Sequence, residues 1–161
     1  MIDAAQLLTL VIRPTLKRIG LHSRAAEVLL LGTAIHESRL RYLKQIRGPA
    51  MGLFQMEPTT HRSLWTHQLR RKKWHDLRDR IAAEAAPRPA RVSQLASNLA
   101  YATAMARAKY WFKPQPLPAW DDAAGMARYH KQHYNTYLGA ADPKKTVRQF
   151  RRAVAIVRES P

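Results

Sequence analysis

The sequence predicts a mainly α-helical single domain, and three observations carry that expectation. Apolar residues recur at helical spacing, as in Val147, Phe150, Val154 and Val157. The pattern breaks where Gly and Pro fall, at Gly20, at Gly48-Pro49, at Pro87 and Pro89, and in the PQPLP run at 114–118. No stretch alternates apolar and polar side chains as a half-buried strand does, although a short β-hairpin near residues 46–55 is compatible with the turn residues there. With 161 residues and 46% hydrophobic side chains, residues 1–161 suffice for one domain with its own core.

The elements follow in order. An amphipathic helix is expected over residues 3–13, with Asp3 as N-cap and Leu7, Leu8, Val11 and Ile12 on one side. Pro14 should end or kink it, and Gly20 should close the turns that follow. Ser23 is suited to cap the next helix, with Glu27 favoured in its first turn by the helix dipole. Leu29, Leu30 and Leu31 point all round that helix, so it should be buried. Leu30, Thr33, Ala34, Glu37 and Arg41 share one of its faces, the small residues leaving room beside Glu37. The Gly48-Pro49 break opens a loop that is apolar apart from Gln55, and an apolar loop is expected to fold back onto the protein. Pro58 fits the first position of a helix to about Leu69. Residues 70–85 form the next, with Trp74, Leu77 and Ile81 inward. Ser93 is the expected cap of a helix to about Phe112, whose inward stripe includes Leu95, Leu99, Ala102 and Ala106. Asp121 or Asp122 caps one through Tyr134, Gly139 ends a turn, and Asp142-Pro143 opens the last.

Composition narrows the partners. Lys and Arg number 28 against 11 acids, a formal charge of +17, so the surface attracts anions: nucleic acid, an anionic envelope or a wall polymer. The absence of cysteine excludes disulfides and thiolate metal sites. No apolar run approaches the roughly 20 residues of a membrane-spanning helix. The N-terminus, with Asp3 and no basic region before its apolar run, does not read as a secretory signal.

Glu37 is the residue with the clearest chemical potential. A carboxyl on an apolar helix is poorly hydrated, which disfavours its charged form. A protonated acid is what glycosidic bond cleavage needs, because the leaving sugar oxygen must receive a proton. The competing reading is a solvated ion pair with Arg41, one turn on. Glu57 is either a second carboxylate, as two-carboxylate glycosidases require, or an acid at the start of the Pro58 helix. His36-Glu37 is not a zinc HExxH, since Leu40 stands where the second His belongs. His130 and His133 share a helix face without an apparent third ligand, so they are expected on a basic surface or against substrate, and no metal or cofactor is expected.

Glu37-Ser38, followed by Gly52-Leu53-Phe54-Gln55 and then Pro58 and Thr60, resembles the Glu-Ser and Gly-Leu-Met-Gln signature of lytic transglycosylases of the lysozyme-like superfamily. Phe54 replaces the motif's methionine. The likeness covers roughly residues 31–60. Weaker echoes extend to residue 139, among them Ser97-Asn98-Leu99, the helix ending in Tyr129, and His133-Tyr134-Asn135-Thr136, which is similar to phage-encoded variants. His130 stands where the family has asparagine, and Glu57 where an apolar residue is usual.

The resemblance implies a lysozyme-like fold and cleavage of peptidoglycan glycan strands, with Glu37 as the sole acid/base. It implies that Ser38 holds the sugar or Glu37, that Gln55 hydrogen-bonds the sugar, that Phe54 and Met56 line the groove, and that Tyr129 hydrogen-bonds Glu37. Such a protein is expected in a phage virion beside other virion proteins, delivered to the host periplasm, or in the host cytoplasm before holin-dependent release. Trp111 and Trp120 are candidates for stacking on sugar rings. The alternative of a different class is a basic DNA-binding or structural virion protein without activity.

Overall fold

The structure, a computed structural model, describes residues 1–134 and 142–161. The molecule is mainly helical, as the periodicity predicts. Helix α1 occupies residues 4–18, α2 Arg24–Ser38, α3 residues 58–69, α4 His75–Ala83, α5 Gln94–Ser97, α6 Leu99–Trp111, α7 Ala123–His133 and α8 Pro143–Glu159. In the region compatible with a hairpin, two isolated antiparallel bridges stand instead, pairing Lys44 with Met51 and Met51 with Met56.

Asp3 caps α1, its carboxylate accepting from the Gln6 N–H at 2.9 Å. Of the two outcomes expected at Pro14, the helix does not end there. The chain widens to π-helical register over Leu7–Ile12 and resumes as Arg13–Arg18, with Pro14 in that segment's first turn. A proline is tolerated there because a first-turn N–H has little to bond within the segment.

Helix α2 is the axis of the fold. Val28 to Leu31 and Ala34 are fully buried, as a helix apolar on every side requires. It packs chiefly against α8, which also packs on α7. At the crossing Gly32 admits the Phe150 ring, which a Cβ would meet at 2.3 Å. Glu27 does more than complement the helix dipole. It is 1% exposed and takes hydrogen bonds from Arg13 Nε at 2.6 Å and Nη2 at 3.1 Å, with His22 Nε2 at 2.8 Å. The Arg13 guanidinium also donates to the Ser160 carbonyl at 2.6 Å, tying α1, α2 and the C-terminus together.

Two further boundaries differ from the sequence reading. Helix α2 stops at Ser38, well before Gly48-Pro49, because Arg39 and Leu40 both adopt left-handed conformations at φ 53° and 55°. The helix expected from Ser93 to Phe112 breaks at Asn98, whose extended backbone and side-chain oxygen cap α6 through the Tyr101 N–H at 3.0 Å. Residues 50–56 fold back as expected, with Leu53, Phe54 and Met56 all at most 2% exposed. Gly52 makes that possible. Its φ is +76°, and a Cβ would lie 1.8 Å from the Leu95 carbonyl oxygen of α5.

His61 supplies an acid-sensitive contact. The Tyr101 hydroxyl accepts the Trp65 indole N–H at 2.9 Å and lies 2.8 Å from His61 Nε2, so its own proton points at an imidazole lone pair. Burial, with Arg91 nearby, pushes His61 down to about 4. The unfolded chain therefore binds more protons than the folded one between about pH 4 and the ordinary histidine value, and stability falls as pH falls through that window. The contribution at stake is on the order of 3 kcal/mol. Urea denaturation at several pH values checks this: His61→Gln should show a flatter loss of stability between pH 6.5 and pH 4 than the wild type.

Candidate active site

The last turn of α2, the 50–57 loop, the C-terminal half of α6 and the residue after α7 enclose an open cleft of about 450 Å³. Glu37, Gln55, Glu57, Lys109 and Tyr134 line it, and Tyr42 and Ile46 at its rim present exposed apolar surface. That is the size range of a ligand cavity.

Glu37 sits at its inner wall. Its side chain is 17% exposed, and Oε1 is buried 3.1 Å from His130 Nε2. The ion pair with Arg41 is not formed, because the helix ends at Ser38 and residue 41 no longer lies one turn along the same face. His130 is 1% exposed rather than on a basic surface. His133 is buried too, at 6%, against Tyr129.

Partner roles fix the proton positions behind Glu37. Thr33 Oγ1 donates to the Leu29 carbonyl at 2.7 Å, so toward Tyr110, 2.8 Å away, it accepts. Tyr110 Oη, its proton given to Thr33, accepts from His130 Nδ1 at 2.7 Å. Burial pushes the His130 imidazole down, opposed by Glu37, and the neutral ring then carries its single proton on Nδ1. Nε2 thus turns a lone pair toward Glu37 Oε1. Among the described residues, neither of these two buried atoms has a hydrogen-bond partner.

Lys109 is the functional candidate that the sequence reading missed. Its Nζ donates to the Tyr134 carbonyl at 2.7 Å and lies 3.8 Å from the centre of the Tyr134 ring. Burial pushes it down to about 8, with Glu37 and Glu57 opposing the shift. The signal was present: Ala102, Ala106 and Lys109 continue one inward stripe, and a lysine there has to meet an anion or a cavity.

The remaining expected residues divide. Gln55 lines the cleft; its Nε2 donates to the Gly52 carbonyl at 2.8 Å, leaving the amide oxygen as acceptor. Glu57 also lines it. Glu57 occupies the N-cap position of α3 without a side-chain capping bond, and among the described residues its carboxylate accepts only from the Thr59 hydroxyl, at 3.3 Å. Ser38 does not face the cleft. It is fully buried, its hydroxyl donating to the Ala34 carbonyl at 3.0 Å and accepting from the Leu40 N–H at 3.2 Å. It therefore shapes the turn that stops α2 behind Glu37.

Phe54 and Met56 are core residues rather than groove walls, because the Gly52 turn directs them inward. Tyr129 does not reach Glu37. Its hydroxyl donates to the Gln115 carbonyl at 2.9 Å, and the aromatic residues whose hydroxyls Glu37 influences are Tyr110 and Tyr134. Tyr134 donates to the Phe54 carbonyl at 2.8 Å, joining α7 to the loop. Trp111 packs on Trp74 and Trp120 under Arg24, both outside the cleft lining. Asn135, Thr136 and Gly139 lie outside the described residues.

A methyl group at position 52 tests the loop's role. Gly52→Ala forces a left-handed backbone on an L residue and collides with Leu95. It should cost about 1–3 kcal/mol, read as a Tm lowered by roughly 3–10 °C in thermal circular dichroism. No protein-family model, curated protein or solved structure matches the chain.

Proposed function

We propose that the protein is a lytic transglycosylase that cleaves the β-1,4 bond between N-acetylmuramyl and N-acetylglucosaminyl units of peptidoglycan, with Glu37 as its sole acid and base. One observation carries the reading. A carboxyl with one buried oxygen, unpartnered among the described residues, stands in the wall of an open cleft of about 450 Å³ that Gln55 also lines. The likeness of Glu37-Ser38 and Gly52 to Gln55 to the transglycosylase signature supports the choice of substrate.

The residues divide the work as follows. Glu37 delivers its proton to the glycosidic oxygen as the bond breaks. The muramyl N-acetyl group stabilises the cationic sugar, and the carboxylate left behind lies in the field of Lys109. Glu37 then removes the proton from the muramyl C6 hydroxyl, whose oxygen closes on C1 to give a 1,6-anhydro end and a free N-acetylglucosaminyl 4-hydroxyl. His130 backs the buried side of Glu37, and the Gln55 oxygen accepts from a sugar amide or hydroxyl. The exposed Tyr42 and Ile46 suit the apolar faces of neighbouring sugars. The formal charge of +17 favours encounter with an anionic envelope and falls off with added salt. Phage-encoded use during genome delivery, from a virion into the host periplasm, is the biological setting that the resemblance supports.

Glu57 supports a second reading, a hydrolytic lysozyme in which it activates water, since it lines the same cleft free of a capping role. Product masses discriminate. Glu37→Gln should abolish release of soluble muropeptides with unchanged helical circular dichroism; Glu57→Gln should keep release and anhydro ends. Reducing ends lost together with Glu57 select the hydrolase, and a Glu37→Gln variant as active as wild type removes both.

Lys109 gives an independent check. Lys109→Met should lower kcat about tenfold to a hundredfold with little change in KM, since its charge matters most once Glu37 is an anion. The wild-type rate should fall on the alkaline side near pH 8, where Lys109 loses its proton, and that limb should vanish in the variant.

A further inference from the structure

We propose that His36, Glu37 and His130 form a zinc-binding site, and that the bound ion holds Glu37 inactive by taking the place of its proton. One ring nitrogen from each histidine and one Glu37 oxygen lie within 4.8 Å of one another. His36 and Glu37 come from the last turn of α2, and His130 comes from α7. Donor atoms about a tetrahedral zinc with bonds of about 2.0–2.2 Å stand roughly 3.4 Å apart. The 3.1 Å between His130 Nε2 and Glu37 Oε1 is already close to that spacing. The His36 nitrogen has little more than about 1 Å to close.

Two further observations point to a cation. His130 is 1% exposed, and its Nε2 and Glu37 Oε1 are both buried without a hydrogen-bond partner among the described residues. The proton positions behind His130 direct the Nε2 lone pair at the carboxylate, so one electrophile between them satisfies both atoms: a proton or a metal ion. The outer nitrogens are also engaged. His36 Nδ1 lies 2.6 Å from Gln149 Oε1, which leaves Nε2 to ligate, and His130 Nδ1 donates to Tyr110 at 2.7 Å. Such outer contacts orient metal-binding imidazoles. Two imidazoles and one carboxylate suit zinc, and three protein ligands leave a position for water or an anion.

Zinc bound between His130 and Glu37 occupies the position that the Glu37 proton would otherwise hold. The charged and titratable groups around the pair are Lys109 and Tyr110 on α6, Tyr134 after α7, and Arg128 and Lys131 on the outer side of α7 by His36. The cations among them oppose the ion.

The site stands by itself, and its inhibitory effect rests on the reading of Glu37 as the acid. The test uses the whole chain freed of metal. Zinc chloride in isothermal titration, and cobalt(II) followed by its visible absorption, should each show one ion per chain for the wild type. His36→Gln, checked for unchanged helical circular dichroism, should bind at least tenfold more weakly. Equimolar zinc should suppress muropeptide release by the wild type and spare His36→Gln, whose activity without zinc should match wild type. Absence of zinc binding, or equal binding by His36→Gln, overturns the site. Binding that raises release overturns the inhibitory role. Binding that depends on His36, in a chain that releases no muropeptide with or without zinc, upholds the site and removes the transglycosylase reading.

Discussion

The end of α2 is the constraint from which the cleft follows. The helix is buried on every side until Ala34 and Ile35, then stops within one turn. Ser38 bonds back to Ala34 and forward to Leu40, and two successive left-handed residues swing the chain away. Two consecutive non-glycine residues in that conformation are costly, and such strain persists only where the surroundings impose it. The result is a carboxyl carried on the best-packed element of the molecule yet at the point where that element meets open space. A site held by a rigid helix and faced by a loop gains precision from the first and access from the second.

Two acids on the same helix show how environment separates structural from chemical use. Glu27 lies in the first turn, where the helix dipole favours an anion, and Arg13 and His22 satisfy its oxygens. Those partners hold it below the usual carboxylate range although burial alone acts the other way. Glu37 lies in the last turn, and its near neighbour is an imidazole that burial pushes down rather than a guanidinium. One carboxylate is consumed by stability; the other is left with an unanswered oxygen beside a cleft.

The cleft's opposite side depends on a backbone rather than on side chains. Gly52 lets the loop pass against the Leu95 carbonyl, which sends Leu53, Phe54 and Met56 into the core and leaves Gln55 at the surface of the cavity. The Tyr134 hydroxyl then ties the Phe54 carbonyl to the end of α7. Cleft shape and core packing are therefore one problem, and a substitution at Gly52 or Tyr134 acts on both.

By itself the sequence determined the helical class, the caps at Asp3 and Ser23, a cap at Asp121 or Asp122, and the buried character of α2. These are local or periodic properties, written in residue type and spacing. Only the tertiary structure decided that α2 stops at Ser38, that Ser38, Phe54, Met56 and Tyr129 serve the interior, and that Lys109, Tyr134 and His130 surround the acid. Motif spacing places a residue near a site but does not orient its side chain. That depends on which helix crosses which, and residues as far apart in the chain as Glu37 and His130 meet because α2 and α7 both pack on α8 and touch each other.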